Sequence, residues 1–414
     1  MHIRQFPLFL LLFFSLTLGG CGASSVKLKW EDKTAPDTYK LAVLDNGTQL
    51  ALAYDVSNVA RDKDGNVIGA VSLPRDGVRH ILSLGNQFAL YGVSGNDIWR
   101  IIIDSNLQVV SDTTLYTATG TLSLLELQHF GAAATLYWKD SGRFTYFIEG
   151  QPGVGQLSAA QSVARRAIDP ANHYWYVDAT SPAPELVELD LTSATELSRS
   201  PLPEEFASVL QLQVNQGFVV GTRRNTTTDF LELLVLNRAT GTVSLFASQG
   251  GFGSFALNLM GQDGQGNIYY NYLASFAHSG FSIGLHVRVI SNTQINAWDY
   301  KLGTTAIDGY ANIVPLPSGI RMLYQASYVT GITNPLHRKI YSNYIELAAN
   351  GVAVRRFALK PVEEDEWLPY GGITQTASGY HARHHGADAA GNVYLYGTFE
   401  ALAPVDRYYF AGMY

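Results

Sequence analysis

The sequence predicts an all-β fold assembled from many short strands, and three features of its 414 residues predict it. The first is composition. With 24 Tyr, 19 Phe and 39 Gly but only 15% charged residues, the chain is poor material for a helical bundle and suits strands joined by tight turns. The second is periodicity. Gln49 to Tyr54, Phe218 to Gly221 and His286 to Ile290 are strand-length apolar runs, rich in β-branched or aromatic residues and bounded by Gly, Asn or Asp. The third is a turn that recurs along the chain.

Asp263-Gly264-Gln265-Gly266-Asn267-Ile268-Tyr269 and Asp388-Ala389-Ala390-Gly391-Asn392-Val393-Tyr394 are copies of one pattern. Asp62 to Ile68 reads as a third copy and Asp169 to Trp175 as a degenerate fourth. Gly and Asn supply the positive φ of a hairpin turn, the Asp side chain accepts from the turn backbone, and the following apolar-aromatic pair starts a strand. Weaker turns at Asn46-Gly47, Gly85-Asn86, Gly131, Gln216-Gly217 and Ser318-Gly319 fill the gaps. Taken as the first turn of successive units, these recur at about 40 to 55 residues, with one longer interval near the C-terminus. A second turn sits later in several units, at Asp104-Ser105-Asn106, Asp190-Leu191-Thr192, Asn237 to Gly241 and Ala349-Asn350-Gly351.

Two turn types alternating at that period resemble the β-propeller superfamily. The resemblance implies seven or eight four-stranded blades, eight preferred on spacing, in one domain over residues 27–414. The second turn resembles the one joining the outer two strands of a blade. The last unit, Gly371 to Tyr414, has room for three strands, and Val26 to Asp32 could supply the fourth, which would remove the exposed edge of an open array. A β-helix would show shorter repeats, and a pair of β-sandwiches would need a linker.

The N-terminus carries a different signal. An apolar run from Phe6 to Leu18, about 13 residues, is shorter than the roughly 20 a helix needs to span a bilayer. It ends in Leu18-Gly19-Gly20-Cys21, and Cys21 is the only cysteine of the chain. This resembles the lipobox of bacterial lipoproteins, although the leading segment offers only His2 and Arg4 as positive charge. The resemblance implies a signal peptide over 1–20, lipid attachment at Cys21, a short tether over 21–26, and a membrane as partner. Gly22 in place of Asp after the cysteine implies the outer membrane of a Gram-negative envelope. With Cys21 consumed by lipid, no disulfide can form, so packing alone must hold the fold.

A net charge of −7 argues against a nucleic-acid surface, for which a basic stripe is expected. The acidic run Glu363-Glu364-Asp365-Glu366 reads as a solvated loop rather than a cation site. Trp138-Lys139-Asp140 and His173-Tyr174-Trp175-Tyr176 could stack on sugars but read better as packing between blades. No Gly-x-Ser-x-Gly elbow, no P-loop and no HExxH is expected, and Gly280-Phe281-Ser282 reads as turn glycine without a phosphate-binding context. His381, His384 and His385 are weak candidates for a transition-metal site, since imidazoles suit zinc, copper or nickel. Adjacent residues of one strand point to opposite faces, which speaks against His384 and His385 sharing an ion. Aligning the turns places this pair where Arg165 and Arg166 lie in an earlier unit, on innermost strands, so all four are channel-lining candidates.

The sequence yields no catalytic residue and no cofactor. It supports a lipid-anchored, non-enzymatic binding module with a protein, peptide or glycan partner. The alternative is an exported hydrolase or lyase with a polar or metal site in the channel.

Overall fold

A computed structural model describes residues 27–33, 35–54, 57–130, 133–161, 165–180, 183–227, 231–247, 257–276, 282–303, 311–330, 336–366, 373–400 and 407–414. The lipobox and Cys21 lie outside the described residues. The strands form eight antiparallel sheets. Seven have four strands, and successive sheets follow one another along the chain, with inner strands beginning at Thr38, Val78, Leu122, Arg166, Gln211, Leu257, Ala311 and Gly379. The protein is an eight-bladed β-propeller, which resolves the expected seven or eight. The one helical element among the described residues is a short 3-10 turn, Glu204–Ser208.

The ring closes as expected. Blade 8 takes three strands from the C-terminus, Gly379–Ala387, Val393–Glu400 and Arg407–Met413, and its outermost strand from the N-terminus, Trp30–Asp32, with Trp30 opposite Met413 and Asp32 opposite Ala411. The closing unit starts at Gly379 and not at Gly371, because Ile373–Ala377 pairs into the preceding blade.

Of the nine expected first turns, seven, at Asn46, Gly85, Asp169, Gln216, Asp263, Ser318 and Asp388, join the inner strand of a blade to its neighbour, Gly131 lies outside the described residues, and the turns at Asp104, Asp190, Asn237 and Asn350 join the outer two. Asp62 is the exception. It lies between Asn58–Arg61 and Val67–Val71, the third and fourth strands of blade 1, so it belongs to the outer class. The chemistry is nonetheless shared: Asp62, Asp169, Asp263 and Asp388 all accept backbone N–H bonds from residues two and four positions ahead or one of these. In an antiparallel four-stranded blade both turn classes fall on one face, here termed the base. The second-to-third turns and blade-to-blade connections make the opposite loop face.

No single core exists. Separate apolar clusters fill successive blade interfaces, for example Phe88, Trp99 and Ile101 with Leu50 between blades 1 and 2, and Trp175 and Val177 with Phe206 and Val219 between blades 4 and 5. Trp138 and Trp175 are 1% and 3% exposed, so both aromatic runs pack between blades. At the base the turns interlock: the Asp45 amide donates to Gly85 O (3.2 Å) and the Ala389 amide to Asp45 O (3.1 Å), linking blades 2, 1 and 8.

Blade 7 departs from the plan. Its strands Gly319–Thr330 and Leu336–Leu347 have 12 residues each, against nine at most elsewhere among the described residues. The base half of Leu336–Leu347 pairs with the usual fourth strand, Ala353–Ala358. The loop-face half pairs with Val362–Glu366, which in turn pairs with Ile373–Ala377. The acidic run is therefore a strand and not a loop, because His337, Arg338 and Lys339 lie directly opposite Asp365, Glu364 and Glu363 and offset their mutual repulsion.

Candidate functional site

The inner strands place the predicted residues in inter-blade seams. In blade 8, His384 and His385 follow a bulge between Ala382 and His384 and pair in regular register with Tyr396 and Leu395, so strand alternation turns the two adjacent rings to different neighbours. His384 faces blade 1, where the Thr38 carbonyl accepts from its ring. His385 faces blade 7, edge-on to Tyr344 at 5.6 Å between ring centroids. His381 meets Gln325 across the same seam, Nδ1 to Nε2 at 3.2 Å. His384 thus parts from the other two histidines, and no group of three metal-ligating side chains occurs among the described residues.

Burial pushes the His384 ring down to about 4 and the His385 ring down to about 3, with the Arg321 guanidinium adding to the second shift. Both rings stay neutral in the folded chain to those values, whereas the unfolded chain protonates near 6.5. The unfolded state therefore binds more protons in between, and stability falls as pH drops from about 6.5 towards 4. Replacing His385 by Leu is expected to flatten that acid slope, read as urea midpoints at pH 7 and pH 5. An unchanged slope would contradict the neutral buried ring.

Arg166 opens the inner strand of blade 4, Arg166–Ile168, and sits in the seam with blade 3. Its guanidinium lies 4.3 Å from the Phe144 ring centroid and 5.1 Å from that of Tyr137, and pairs with Glu126 at 3.4 Å. The Tyr137 hydroxyl donates to the same carboxylate, and burial pushes this phenol up. Arg165 is half-buried, and its carbonyl accepts from the Val177 amide at 3.1 Å. Glu126 and Tyr137 carry no local motif and were not legible in the sequence. Across the ring, the inner strands of blades 3 and 7 approach within 8 Å between Cα atoms, so the bore is pinched where they meet.

Gly280-Phe281-Ser282-Ile283-Gly284 matches Gly-x-Ser-x-Gly by letter, a pattern whose chemistry needs a sharp strand-to-helix turn. Ser282 instead opens the strand Ser282–Ile290. His286 in that strand bonds Asp299 through Nδ1 at 2.9 Å, a His–Asp pair. Ser282 is four residues away along extended chain, about 13 Å between Cα atoms. Asp299 is shared with Arg288 at 2.9 Å and the Tyr272 hydroxyl at 3.0 Å.

The loop-face extension of blade 7 is the most distinctive surface. His337 bonds Asp365 (2.8 Å) and Glu363 (3.2 Å), and Lys339 Nζ bonds Glu363 at 2.8 Å. The Asp365 hydrogen bond holds the His337 ring above its ordinary value, and the Lys339 ammonium holds the Glu363 carboxyl below its own. These groups are a quarter to a third exposed, so they add register and charge pattern more than stability. Val362 beneath them is buried. Gln375 ties the terminal strand to blade 8 through Glu400 O at 3.2 Å.

No protein-family model and no curated protein matches the sequence. Among solved structures, the chain is similar to the WD40 domain of SCAP from fission yeast at 10% identity and TM-score 0.41, over 93% of this chain and 96% of that one. It is similar to the Dos1 propeller at 13% identity and TM-score 0.41, over 66% and 72%. It is also similar to dihydro-heme d1 dehydrogenase NirN in complex with DHE at 12% identity and TM-score 0.38, over 79% and 67%. The fold rests on the eight sheets themselves, and on them the chain is an eight-bladed β-propeller.

Proposed function

We propose that the chain is a membrane-anchored bacterial lipoprotein of the cell envelope, held by lipid at Cys21, and that it acts as a non-enzymatic binding module. Its partner, a protein or peptide, docks on the loop face. The observation that carries this reading is the blade 7 platform: two 12-residue strands carried beyond the blade and widened by Val362–Glu366 and Ile373–Ala377. A propeller closes without such an addition, as the seven plain blades do. The terminal strand Ile373–Ala377 reads Ile-Thr-Gln-Thr-Ala, uncharged and β-prone, which suits the addition of an extended partner segment to its outer side.

A photo-crosslinking residue at the exposed Thr376 is expected to give a discrete adduct in intact cells, and one at Ser193, on the base, is expected to give none. Adducts at Ser193 with none at Thr376 would contradict the reading.

A further inference from the structure

We infer that the base of the propeller lies against the lipid bilayer, with the loop face turned away from it; this rests on acylation at Cys21 and deepens the reading above. The described chain enters at the base. The Lys29 amide donates to Met413 O at 2.7 Å, its ammonium to Asn392 Oδ1 at 3.3 Å, and the Trp30 indole N–H to Lys63 O at 3.2 Å. Asn392 and Lys63 belong to base turns, and from there Trp30–Asp32 climbs towards the loop face. Six residues from Cys21 to Lys27 span at most about 20 Å. A nine-residue strand such as Ser282–Ile290 stands about 30 Å tall. The tether is shorter than the blade, so the base meets the membrane first.

The surface at the base fits that neighbour. Eleven large apolar residues are exposed among the described residues, and nine of them lie directly before or within the first three residues of an outer strand, at the base end. Val67 and Ile68 in blade 1, Val110 in blade 2, Leu245 in blade 5 and Val352 and Val354 in blade 7 are 44% to 61% exposed. Spread around the rim, they form no single patch of the kind a protein partner buries. A plane touching the rim meets them together. The turn tips between them are mostly small and neutral, as in Ser105-Asn106, Ala239-Thr240 and Ala389-Ala390. The recurring Asp side chains of those turns are bound to their own backbone. Lys27 and Lys29 flank the tether and attract anionic lipid.

The test uses the full, acylated chain in vesicles of phosphatidylethanolamine and phosphatidylglycerol. With the Cys21 thiol blocked by lipid, an added cysteine is the one free thiol. Val110→Cys, Leu245→Cys and Val354→Cys report the base, and Glu204→Cys and Thr376→Cys the loop face. Each is labelled with an environment-sensitive fluorophore against lipid bearing a headgroup nitroxide. Quenching is expected to be several-fold stronger at the three base positions. Palmitate incorporation with equal quenching at all five positions, or stronger quenching at Glu204 and Thr376, would overturn the orientation while leaving the anchor intact. Lack of palmitate incorporation would overturn the anchor and the orientation with it.

Discussion

Replacing Asp263 by Ala is expected to lower stability by about 4 kcal/mol, because each buried donor left without an acceptor costs roughly 1 to 3 kcal/mol. Asp263 is 0% exposed. It accepts from the Gln265 amide (2.9 Å), the Asn267 amide (2.9 Å) and the Asn267 side chain (2.9 Å). The Tyr269 hydroxyl (2.8 Å) and, from blade 7, the Gly319 amide (2.8 Å) complete the set. The last bond makes this turn a link between blades. Gly319 holds φ +118°, and a Cβ there would come within 2.2 Å of Leu347 O, so the donor cannot easily move away. Asp263→Asn is expected to be nearly as damaging, since its amide group would face donors in place of one carboxylate oxygen. At the half-buried Asp388, which serves three donors, the loss should be smaller. At Asp62, where the bonds are exposed, it should be about 1 kcal/mol or less. Urea denaturation of the three alanine variants checks the ranking, and an equal loss at all three sites would refute it.

The second large effect is at the ring closure. Arg61, in the third strand of blade 1, has a side chain only 2% exposed and pairs with Asp32 of the closing strand, whose side chain is 22% exposed. The Tyr396 hydroxyl of blade 8 lies 3.4 Å from Arg61 Nη1. Breaking a buried pair by removing one partner costs about 3 to 5 kcal/mol, because the remaining charge stays in a low-dielectric site. Asp32→Ala strands the deeper member and is expected to fall in that range. Arg61→Ala leaves a carboxylate within reach of water and should cost less of the electrostatic part, though it also removes packing against Tyr396. The double variant Arg61→Met/Asp32→Leu is expected to recover most of the Asp32→Ala loss. Thermal melts of the three variants measure the order, and a double variant less stable than Asp32→Ala would contradict it.

What was legible in the sequence follows from range. The turns were readable because their chemistry is local: an Asp that bonds amides two and four residues ahead needs nothing from elsewhere in the chain. Together with the weaker Gly and Asn turns at the same period, these pointed to seven or eight blades, eight preferred, and to the borrowed strand at Trp30. The Asp62 turn was assigned to the wrong pair of strands for the same reason, since inner and outer turns use identical local bonds and differ only in which strands flank them. The acidic strand was illegible because its partners, His337 to Lys339, lie about 25 residues away across a sheet that no plain blade contains. The divergence of His384 and His385 was legible as ordinary strand alternation, whereas the bulge between Ala382 and His384 leaves no signature in residue type. The rim of exposed Val and Leu was likewise hidden, because outer strands such as Val109–Thr117, exposed along most of their length, show apolar residues without the alternation that marks a buried face.

The anchor at Cys21 underlies the proposed function and the orientation alike. The most direct measurement is metabolic palmitate labelling of the wild-type chain and Cys21→Ser in a bacterial host, with membrane fractionation. Wild type is predicted to take up label and sediment with the membranes, and Cys21→Ser to remain an unlabelled, uncleaved precursor. If the variant labels and fractionates like wild type, or if wild type takes up no label, the lipid anchor is contradicted.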